Sequence, residues 1–550
     1  MDVNNGWNGW PFYKYSVNLH PKYRFGPFIQ QPFETTHSLK PIPLLTDKIR
    51  KYRASLPSVP SLTVSFLPLI LLLGMIATII ITQGAETVQN YGYVTLLVSA
   101  VFTLILSYLT TDRRHMRCFR LGIAKSARQI LPAIPILIFI GTLSATWMLS
   151  GVVPSLIYYG LELLEPRTFL MVACATCAVV SVVTGSSWTT IATIGVALMG
   201  VGSVMGYHVG WLAGAIISGA YFGDKVSPLS DTTVLAASTC GVPLMRHIRY
   251  LMLTSGPAMI IALAVYLIVG MTTDLTSSGH SREMIEAIHH SFNITPWVLI
   301  IPALTLTMIA FRFDTAQTLA AGSLAGLVGM WIFQPQIASQ LAGDGGGSLI
   351  DHAAAAVKLL AGSTEIATGY DLLDPLVSTG GIAGMLPTVW LVLSAMTFGG
   401  AMIATGMLGR ITHAITSRLR RGHSLISATV GSGLFLNSCT GDQYMSIIIG
   451  GNIFKNTYRL RGLKPQTLSR TLEDSISVTS VLIPWNSCGL TQSTVLGVST
   501  LIYMPFCIFN IASPIMTLIM GWSGWSITSD PVRDSSLARA PHADVRTAAE

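Results

Sequence analysis

The chain contains 550 residues, of which 51% are hydrophobic and only 11% are charged, and its mean hydropathy is +0.58. Soluble domains carry about 25% charged residues, so this composition excludes an ordinary soluble protein and predicts a polytopic α-helical membrane protein. The net charge of +8 does not indicate a nucleic-acid partner, because the basic residues cluster in short segments beside apolar runs, as in cytoplasmic loops.

The chain begins with a polar, aromatic and proline-rich segment, 1–60, that lacks the apolar core of a signal peptide. We interpret it as a disordered cytoplasmic extension. Two apolar runs follow, near 62–82 and 92–109, and each is long enough to cross a bilayer. The next segment, 111–130, carries six Arg and Lys residues and is therefore expected to be cytoplasmic.

A third span near 131–150 leads, through a predicted interfacial helix at 152–165, to a hairpin with a polar tip. The first limb, 168–183, would extend only about 24 Å as a helix, which is less than the ~30 Å of a bilayer core. The tip is Thr184-Gly-Ser-Ser-Trp188, and the second limb ends near Met205. Short limbs with a polar tip predict a re-entrant hairpin that is buried in protein.

A discontinuous helix is predicted over 208–241. Asp224, Lys225 and Asp231 interrupt the apolar sequence there, and a charge at bilayer mid-depth costs about 3 kcal/mol on insertion scales. Pro228 removes a backbone donor and clashes with the preceding turn. The expected break frees carbonyl oxygens, as in the binding sites of many secondary transporters. The alternative is a polar loop between two ordinary helices, although the flanking apolar arms are short for that.

Four more spans are predicted at 250–270, 296–310, 317–333 and 385–409. The segment 334–384 contains five acidic residues and one lysine, so it is expected outside the cell. With the spans of the hairpin regions, this gives about ten crossings and places both termini in the cytoplasm.

The second half of the chain repeats polar features of the first half. Thr184, at the hairpin tip, recurs as Thr440, and Pro228, at the helix break, recurs as Pro484. Both offsets are 256 residues. Chance identity of so few residues is the alternative, but equal offsets at matching polar breaks favour an internal repeat.

The basic loops predict that the two repeats are inverted, because the span at 131–150 runs outward and the span at 385–409 runs inward. The predicted fold is therefore an all-α inverted-repeat transporter with about ten spans, two re-entrant hairpins and two discontinuous helices. The predicted parts are the extension 1–60, a first half 61–270 with repeat 131–241, connecting spans and loop 271–384, a second repeat and last span 385–521, and a cytoplasmic tail 522–550.

The predicted centre offers the carboxylate, hydroxyl and amide oxygens that hard cations prefer. A cation leaving water needs about five or six oxygens, at least one of them charged. The candidate ion-binding and coupling residues are Asp231, Asp224, Ser230, Thr232, Thr184, Ser186, Ser187, Asp442, Gln443, Asn486 and Ser487. We expect Na+ to lie at Asp231, Ser230, Asp442 and Asn486.

Asp231 is the first candidate for coupling, because it follows the break directly and can bind either a proton or a sodium ion. Asp224 is the second candidate, with an ion pair to Lys225 as the alternative role. Asp442 is the third, with capping of the helix tip as the alternative. Glu473 and Asp474 are interpreted as a proton antenna near the cytoplasmic mouth or as mere surface charge.

Two other function classes fit less well. An intramembrane hydrolase would need a histidine or lysine base near Ser230 and Asp231, and the sequence offers none at a persuasive position. A channel would not need two symmetric hairpins. We therefore predict a transporter rather than an enzyme, and nothing in the sequence calls for a cofactor.

The sequence resembles the NhaC-type Na+/H+ antiporters of the ion transporter superfamily. The resemblance covers roughly 60–520, and the motifs that carry it are Thr184-Gly-Ser-Ser-Trp-Thr189, Gly219-Ala-Tyr-Phe-Gly-Asp-Lys-Val-Ser-Pro-Leu-Ser-Asp-Thr-Thr233, Asn437-Ser-Cys-Thr-Gly-Asp-Gln-Tyr444, Leu472-Glu-Asp-Ser475 and Leu482-Ile-Pro-Trp-Asn-Ser-Cys-Gly489. Val234 stands where the pattern often has Asn, and Ile476 stands where it often has Gly. These departures concern the substrate more than the fold.

The resemblance implies a secondary antiporter of the plasma (inner) membrane that exchanges Na+ for H+ by alternating access. It also implies a scaffold, a moving transport part and often a homodimer. The alternative within the same family is a Na+-coupled organic-acid (malate/lactate type) proton antiporter, in which Lys225 would help to hold an anionic group.

Overall fold

The protein is seen in a computed structural model, which describes residues 60–524 except 85–86, 111–122, 125, 127, 129–130, 132, 274–277, 312, 343–355, 358–359, 363–379 and 418–421. The described residues are almost entirely helical and contain no strand. Seven of their helices are long and apolar enough to cross a membrane, or up to ten if each bent pair is one span. The predicted all-α polytopic membrane fold is confirmed. The predicted extension, basic loop 111–130 and tail lie almost entirely outside the described residues, and so does the larger part of the predicted outside loop.

The main helices of the described residues as far as 291 are numbered first. They are α1 Leu62–Gln83, α2 Thr87–Thr110, α3 Ala133–Leu149, α4 Val152–Leu163, α5 Phe169–Thr184, α6 Ser187–Val204 with a π turn at Ile191–Gly195, α7 Val209–Val226, α8 Asp231–Cys240, α9 Leu244–Thr272 and α10 Ser278–Ser291.

The second half continues the numbering through the last described helix. Its helices are α11 Ile300–Ala310, α12 Thr315–Phe333, α13 Pro335–Ala342, α14 Gly381–Ala404, α15 Met407–Ser417, α16 Gly422–Thr440, α17 Gln443–Leu460, α18 Pro465–Leu472, α19 Ser487–Leu496, α20 Thr500–Tyr503 and α21 Ile508–Ser523. Between α18 and α19 lie a π turn, Glu473–Ser477, and a short 3-10 turn, Ser480–Leu482.

The helices form two groups. One group contains α1, α2, α3, α12, α14 and α15, which pack chiefly on one another. The other contains α5 to α9 and α16 to α21, with the interrupted helices at its centre. The apolar faces of both groups are filled by Leu, Ile, Val, Ala and Met, and burial of these side chains is the main favourable term in their packing.

Close approach of α5 and α7 positions the first break. A Cβ on Gly219 would lie 2.0 Å from the carbonyl oxygen of Cys174, and one on Gly223 would lie 2.3 Å from that of Ala178. The absence of a side chain at these glycines therefore lets the two backbones touch just before Asp224.

The 256-residue repeat is visible in the backbone. Gly185 and Gly441 both end a helix in the left-handed region, with φ of 68° and 65°, and so do Gly241 and Gly497, with φ of 73° and 67°. Glycine is favoured at such helix ends because it has no Cβ to clash. The helices correspond in order: α3 with α14, α4 with α15, α5 with α16, α6 with α17, α7 with α18, and α8 with α19.

Hydrogen bonds between elements follow the same repeat. Ser181 Oγ donates to the carbonyl of Ala220 at 2.6 Å, and Asn437 Nδ2 donates to that of Ile476 at 2.7 Å. Both residues of the second pair lie 256 positions after their counterparts in the first pair. The repeat is thus present in the tertiary contacts as well as in the sequence, which argues against chance identity of a few residues.

Several predicted elements differ in detail. The helix predicted as interfacial, α4, buries Val152, Val153 and Ile157 within the protein. The span predicted at 385–409 ends earlier, because Gly406 adopts φ 75° and separates α14 from α15. Helix α10 forms between the predicted spans at 250–270 and 296–310, where no helix was predicted.

Candidate functional site

The first helix break occurs where the sequence predicts it. Helix α7 ends at Val226 and α8 begins at Asp231, and the intervening residues are not helical. Ser230 caps α8, because its Oγ accepts from the N–H of Thr233 at 3.4 Å. Ser230 Oγ also bonds Thr232 Oγ1 at 3.0 Å. The cap stabilises the start of α8 and therefore stabilises the break itself.

The second break follows the same plan with different residues. After the π turn Glu473–Ser477 the chain leaves the α conformation, and α19 begins at Ser487. Asn486 caps it, with Oδ1 accepting from the N–H of Cys488 at 3.1 Å. Asn486 also donates through Nδ2 to the carbonyl of Asn437 at 3.3 Å, which ties this break to α16.

The two hairpin tips are closed by equivalent caps. Ser186 Oγ accepts from the N–H of Thr189 at 3.2 Å, and Asp442 Oδ1 accepts from that of Met445 at 2.9 Å. Thr184 and Thr440 each hydrogen-bond the carbonyl of the cap residue two positions later. The role of Asp442 as a tip cap, predicted as its alternative role, is therefore observed in the structure.

Each tip is hydrogen-bonded to the interrupted helix of its own repeat, and we call this contact the clasp. Ser187 donates to Asp224 Oδ2 through its N–H at 3.1 Å and through its Oγ at 2.7 Å. In the second repeat Ser480 Oγ donates to Gln443 Oε1 at 3.3 Å. Ser187 and Asp224 lie 256 residues before Gln443 and Ser480, so the clasp is part of the repeat. Only the first clasp carries a charge.

A cavity of about 520 Å³ lies where the first break meets both tips. Seven of the predicted site residues line it, and these are Thr184, Ser186, Asp224, Asp231, Thr232, Asp442 and Gln443. Its described lining contains four carboxylates and no Lys or Arg. Such a cavity attracts cations and repels anions.

The other four predicted residues do not line this cavity. Ser187 supports Asp224, and Ser230 and Asn486 are buried helix caps. Ser487 is buried behind Asp442, with its Oγ 3.4 Å from Asp442 Oδ2. The structure thus brings Asp231 and Asp442 to the cavity wall, whereas Ser230 and Asn486 cap helices.

The three carboxylates that we predicted differ in their exposure. Asp442 is 4% exposed, Asp224 is half-buried, and Asp231 is exposed to the cavity. Asp231, the first candidate for coupling, is therefore the most accessible of the three. It stands in the first turn of α8, where the positive end of the helix dipole favours its negative charge.

Sequence reasoning did not include the far wall of the cavity. Asp314 caps α12 and lines the cavity, together with Phe313, Trp188 and Tyr444. Asp314 lies in a turn between two predicted spans, and its carboxylate accepts from the N–H of Ala316 at 3.0 Å. The sequence shows an aspartate that could cap a helix next to a predicted span. It does not show that this aspartate lies near the other carboxylates, because that depends on how α12 packs.

Lys225 does not belong to the cavity. It is 2% exposed, forms an ion pair with Asp474 and donates to Ser513 Oγ at 2.8 Å. The predicted alternative of an Asp224–Lys225 pair is therefore wrong. Glu473 and Asp474 are both 0% exposed, so their interpretation as surface charge is also wrong.

Within the described part of the chain, no group of three or more His, Cys, Asp and Glu residues could hold a metal ion. The cavity instead combines carboxylates with hydroxyl and amide oxygens, a set suited to a hard cation.

An all-α polytopic protein with a cation-attracting cavity between an interrupted helix and two polar helix tips is a secondary transporter. The chain belongs to the Na+/H+ antiporter family, whose family model matches residues 46–240 and 219–525.

Characterised relatives cover most of the chain. It is 34% identical to the Na(+)/H(+) antiporter NhaC of Alkalihalophilus pseudofirmus, over 83% of this chain and 95% of that protein. It is also 34% identical to the arginine/ornithine antiporter ArcD of Halobacterium salinarum, over 74% of this chain and 81% of that protein. The malate-2H(+)/Na(+)-lactate antiporter of Bacillus subtilis is 32% identical, over 74% and 85%.

Proposed function

We propose that this protein is a secondary active antiporter that exchanges Na+ for H+. The observation that carries the proposal is the cavity itself, which has four carboxylates and no basic side chain in its described lining. Membership of the Na+/H+ antiporter family and 34% identity to an NhaC antiporter support it.

The exchange follows from the chemistry of the carboxylates. Several negative charges in one cavity cannot all stay unneutralised, so each binds either a cation or a proton. Asp231 is exposed and accepts cargo directly, whereas Asp224 is held by Ser187 and Asp442 holds the second tip. Release of a proton makes room for Na+, and binding of a proton expels it.

The organic-acid alternative is not favoured. An anionic substrate needs a cationic side chain in the site, and Lys225 is committed to Asp474 and Ser513. Asp224, Asp231, Asp314 and Asp442 would repel malate or lactate. The relative that exchanges malate and lactate is 32% identical to this chain, slightly less than the NhaC antiporter.

The architecture that we propose has two inverted repeats with re-entrant tips, ten crossings and both termini in the cytoplasm, in a plasma (inner) membrane. The matching clasps and the glycines in the left-handed region at equivalent helix ends support two equivalent halves. The division of the helices into two groups supports a scaffold and a moving part. We further propose a homodimer and no enzymatic activity. Cysteines placed in 343–355 should react with an impermeant reagent only from outside, and labelling only from the cytoplasm would contradict this topology.

The function is tested with purified protein in proteoliposomes containing a trapped pH dye. Addition of Na+ should drive protons across the membrane, whereas lactate, malate, arginine and ornithine should not. Li+ and K+, added in the same way, report the ion selectivity. Wild-type vesicles in which Na+ moves no protons would contradict the proposed function.

The same vesicles test the site. Asp231→Asn keeps the shape and one oxygen but cannot ionise, so it should abolish exchange. Asp224→Asn should also impair exchange, because it removes the charge of the first clasp. Glu162→Gln, an exposed glutamate on α4, is the matched control and should exchange as the wild type does. Near wild-type exchange by Asp231→Asn would move the coupling role to Asp224 or Asp442.

A further inference from the structure

Two adjacent buried carboxylates begin the π turn after α18, and their surroundings differ. Asp474 accepts from Lys225 Nζ, from Thr254 Oγ1 at 2.9 Å, from Ser513 Oγ at 2.8 Å and from Thr517 Oγ1 at 2.5 Å. Within the described chain, neither carboxylate oxygen of Glu473 has a hydrogen-bond partner. Both residues are 0% exposed. Asp474 is therefore a fixed structural charge, and Glu473 is not.

The charged and titratable groups that face Glu473 are Lys225 and Asp224 of α7, Cys240 of α8 and its neighbour Asp474. Lys225 already compensates Asp474 and donates to Ser513, so it is not available as a partner. Ionisation of a buried carboxyl group without a partner is costly, so burial favours the protonated form of Glu473.

A small cavity connects this turn to the cation site. It has a volume of about 10 Å³ and is lined by Tyr221, Asp224, Lys225, Thr232, Gln443, Ser477 and Val478. A space of roughly 10–15 Å³ accommodates one water molecule. Asp224 lines both this small cavity and the large cation cavity. A single water molecule there would lie beside both Ser477 of the turn and Asp224 of the cation site.

Ser477 supplies the connection within the turn. It is the last residue of the π turn that begins at Glu473, and the N–H of Val478 bonds the carbonyl of Glu473 at 3.3 Å. Ser477 lines the small cavity, and its hydroxyl interacts with the carboxyl group of Glu473, although neither group makes a hydrogen bond of normal geometry within the described chain. A hydroxyl can accept one proton and donate another, so it can pass a proton between its neighbours.

We propose that Glu473 is a proton relay residue that feeds Asp224 through Ser477 and one water molecule. When Na+ leaves, the O–H bond of Glu473 breaks, the hydroxyl and water pass a proton onward, and an O–H bond forms on Asp224. Glu473 is left as a carboxylate. It then takes up a proton from the aqueous side of the membrane to which the transporter is open. This inference rests on the proposed Na+/H+ exchange and names one of its proton-carrying groups.

The test separates proton movement from sodium movement in one preparation. In proteoliposomes, 22Na+ counterflow at equal pH on both sides reports Na+/Na+ exchange, which needs no net proton transfer. Uptake of 22Na+ driven by a pH gradient reports coupled exchange. Glu473→Gln should lower the gradient-driven rate at least about tenfold, as loss of a positioned proton-transfer group does, and should keep counterflow within about twofold of wild type.

Three further variants complete the design. Glu473→Asp keeps a titratable group and should recover part of the gradient-driven rate, with a shifted pH profile. Ser477→Ala should slow the same rate and spare counterflow, and it keeps the relay testable if Glu473→Gln does not fold. Glu162→Gln, the same chemical change at an exposed position, should leave both rates unchanged.

The failures of the two proposals differ. Wild-type protein that shows no gradient-driven uptake would contradict Na+/H+ exchange itself. Wild-type protein that exchanges normally, with Glu473→Gln driven by the gradient at the wild-type rate, would overturn only the relay. Equal loss of both rates in Glu473→Gln, with a normal elution profile, would also overturn it and show that Glu473 supports the fold.

Discussion

The buried pair Lys225–Asp474 offers a prediction whose magnitude follows from the structure. It joins α7 of the first repeat to the π turn of the second, and the two side chains are 1% and 0% exposed. Lys225→Met leaves Asp474 charged and buried, and Asp474→Asn does the same to Lys225. Breaking a buried pair from one side costs about 3–5 kcal/mol, because the remaining charge loses the hydrogen-bonded partner that compensates it.

The double variant Lys225→Met with Asp474→Asn should be more stable than either single variant. It removes both charges, and the amide oxygen of Asn still accepts from Ser513 or Thr517, whose hydroxyls bond Asp474 in the wild type. Thr254 keeps its bond to the carbonyl of Leu251 at 3.0 Å. We therefore expect the double variant to recover most of the loss, with a coupling free energy of about 2 kcal/mol or more.

Thermal unfolding in detergent, followed by tryptophan fluorescence, measures these differences. Each single variant should lower the apparent Tm by on the order of 5–10 °C, a smaller shift per kcal/mol than in small domains because unfolding entropy grows with chain length. Lys455→Met, at an exposed lysine that donates to the carbonyl of Thr239, is the control and should change stability by about 1 kcal/mol or less. Additive single effects, with the double variant least stable, would refute the ion-pair explanation.

Three further predictions concern helix contact, the repeat and cation attraction. Gly223→Ala should impair folding or transport because its Cβ meets the carbonyl of Ala178, whereas Gly256→Ala, with nothing within 4 Å, should raise thermal stability slightly. Ser181→Ala and Asn437→Ala should each lower unfolding free energy by about 1–3 kcal/mol, since each leaves a buried carbonyl without its side-chain donor. Asp314→Asn keeps the cap but removes a charge, so transport assays should show a severalfold higher apparent Na+ constant at low ionic strength that approaches wild type at high salt. The helix-contact explanation is contradicted if the two glycine variants melt at the same temperature. The repeat explanation is contradicted if Ser181→Ala and Asn437→Ala melt as the wild type does. The cation-attraction explanation is contradicted if the apparent Na+ constant of Asp314→Asn does not depend on salt.

The sequence by itself determined the fold class, the positions of both helix breaks and the repeat offset. These features depend on local properties: uncharged runs long enough to cross a bilayer, proline in a helix and polar residues that recur after 256 positions. Seven of the eleven predicted site residues line the cavity for the same reason, since they lie at the breaks and tips that local sequence defines.

The partners of the charged residues were decided only by tertiary structure. Lys225 stands next to Asp224 in the chain, yet α7 directs it towards Asp474, 249 positions away, and leaves Asp224 to Ser187. Asp314 reaches the cavity only because α12 packs beside it. His247 is buried and hydrogen-bonded to Ser469, 222 positions away. Each outcome depends on which faces of distant helices meet, and hydropathy and spacing carry no information about that because they describe one segment at a time.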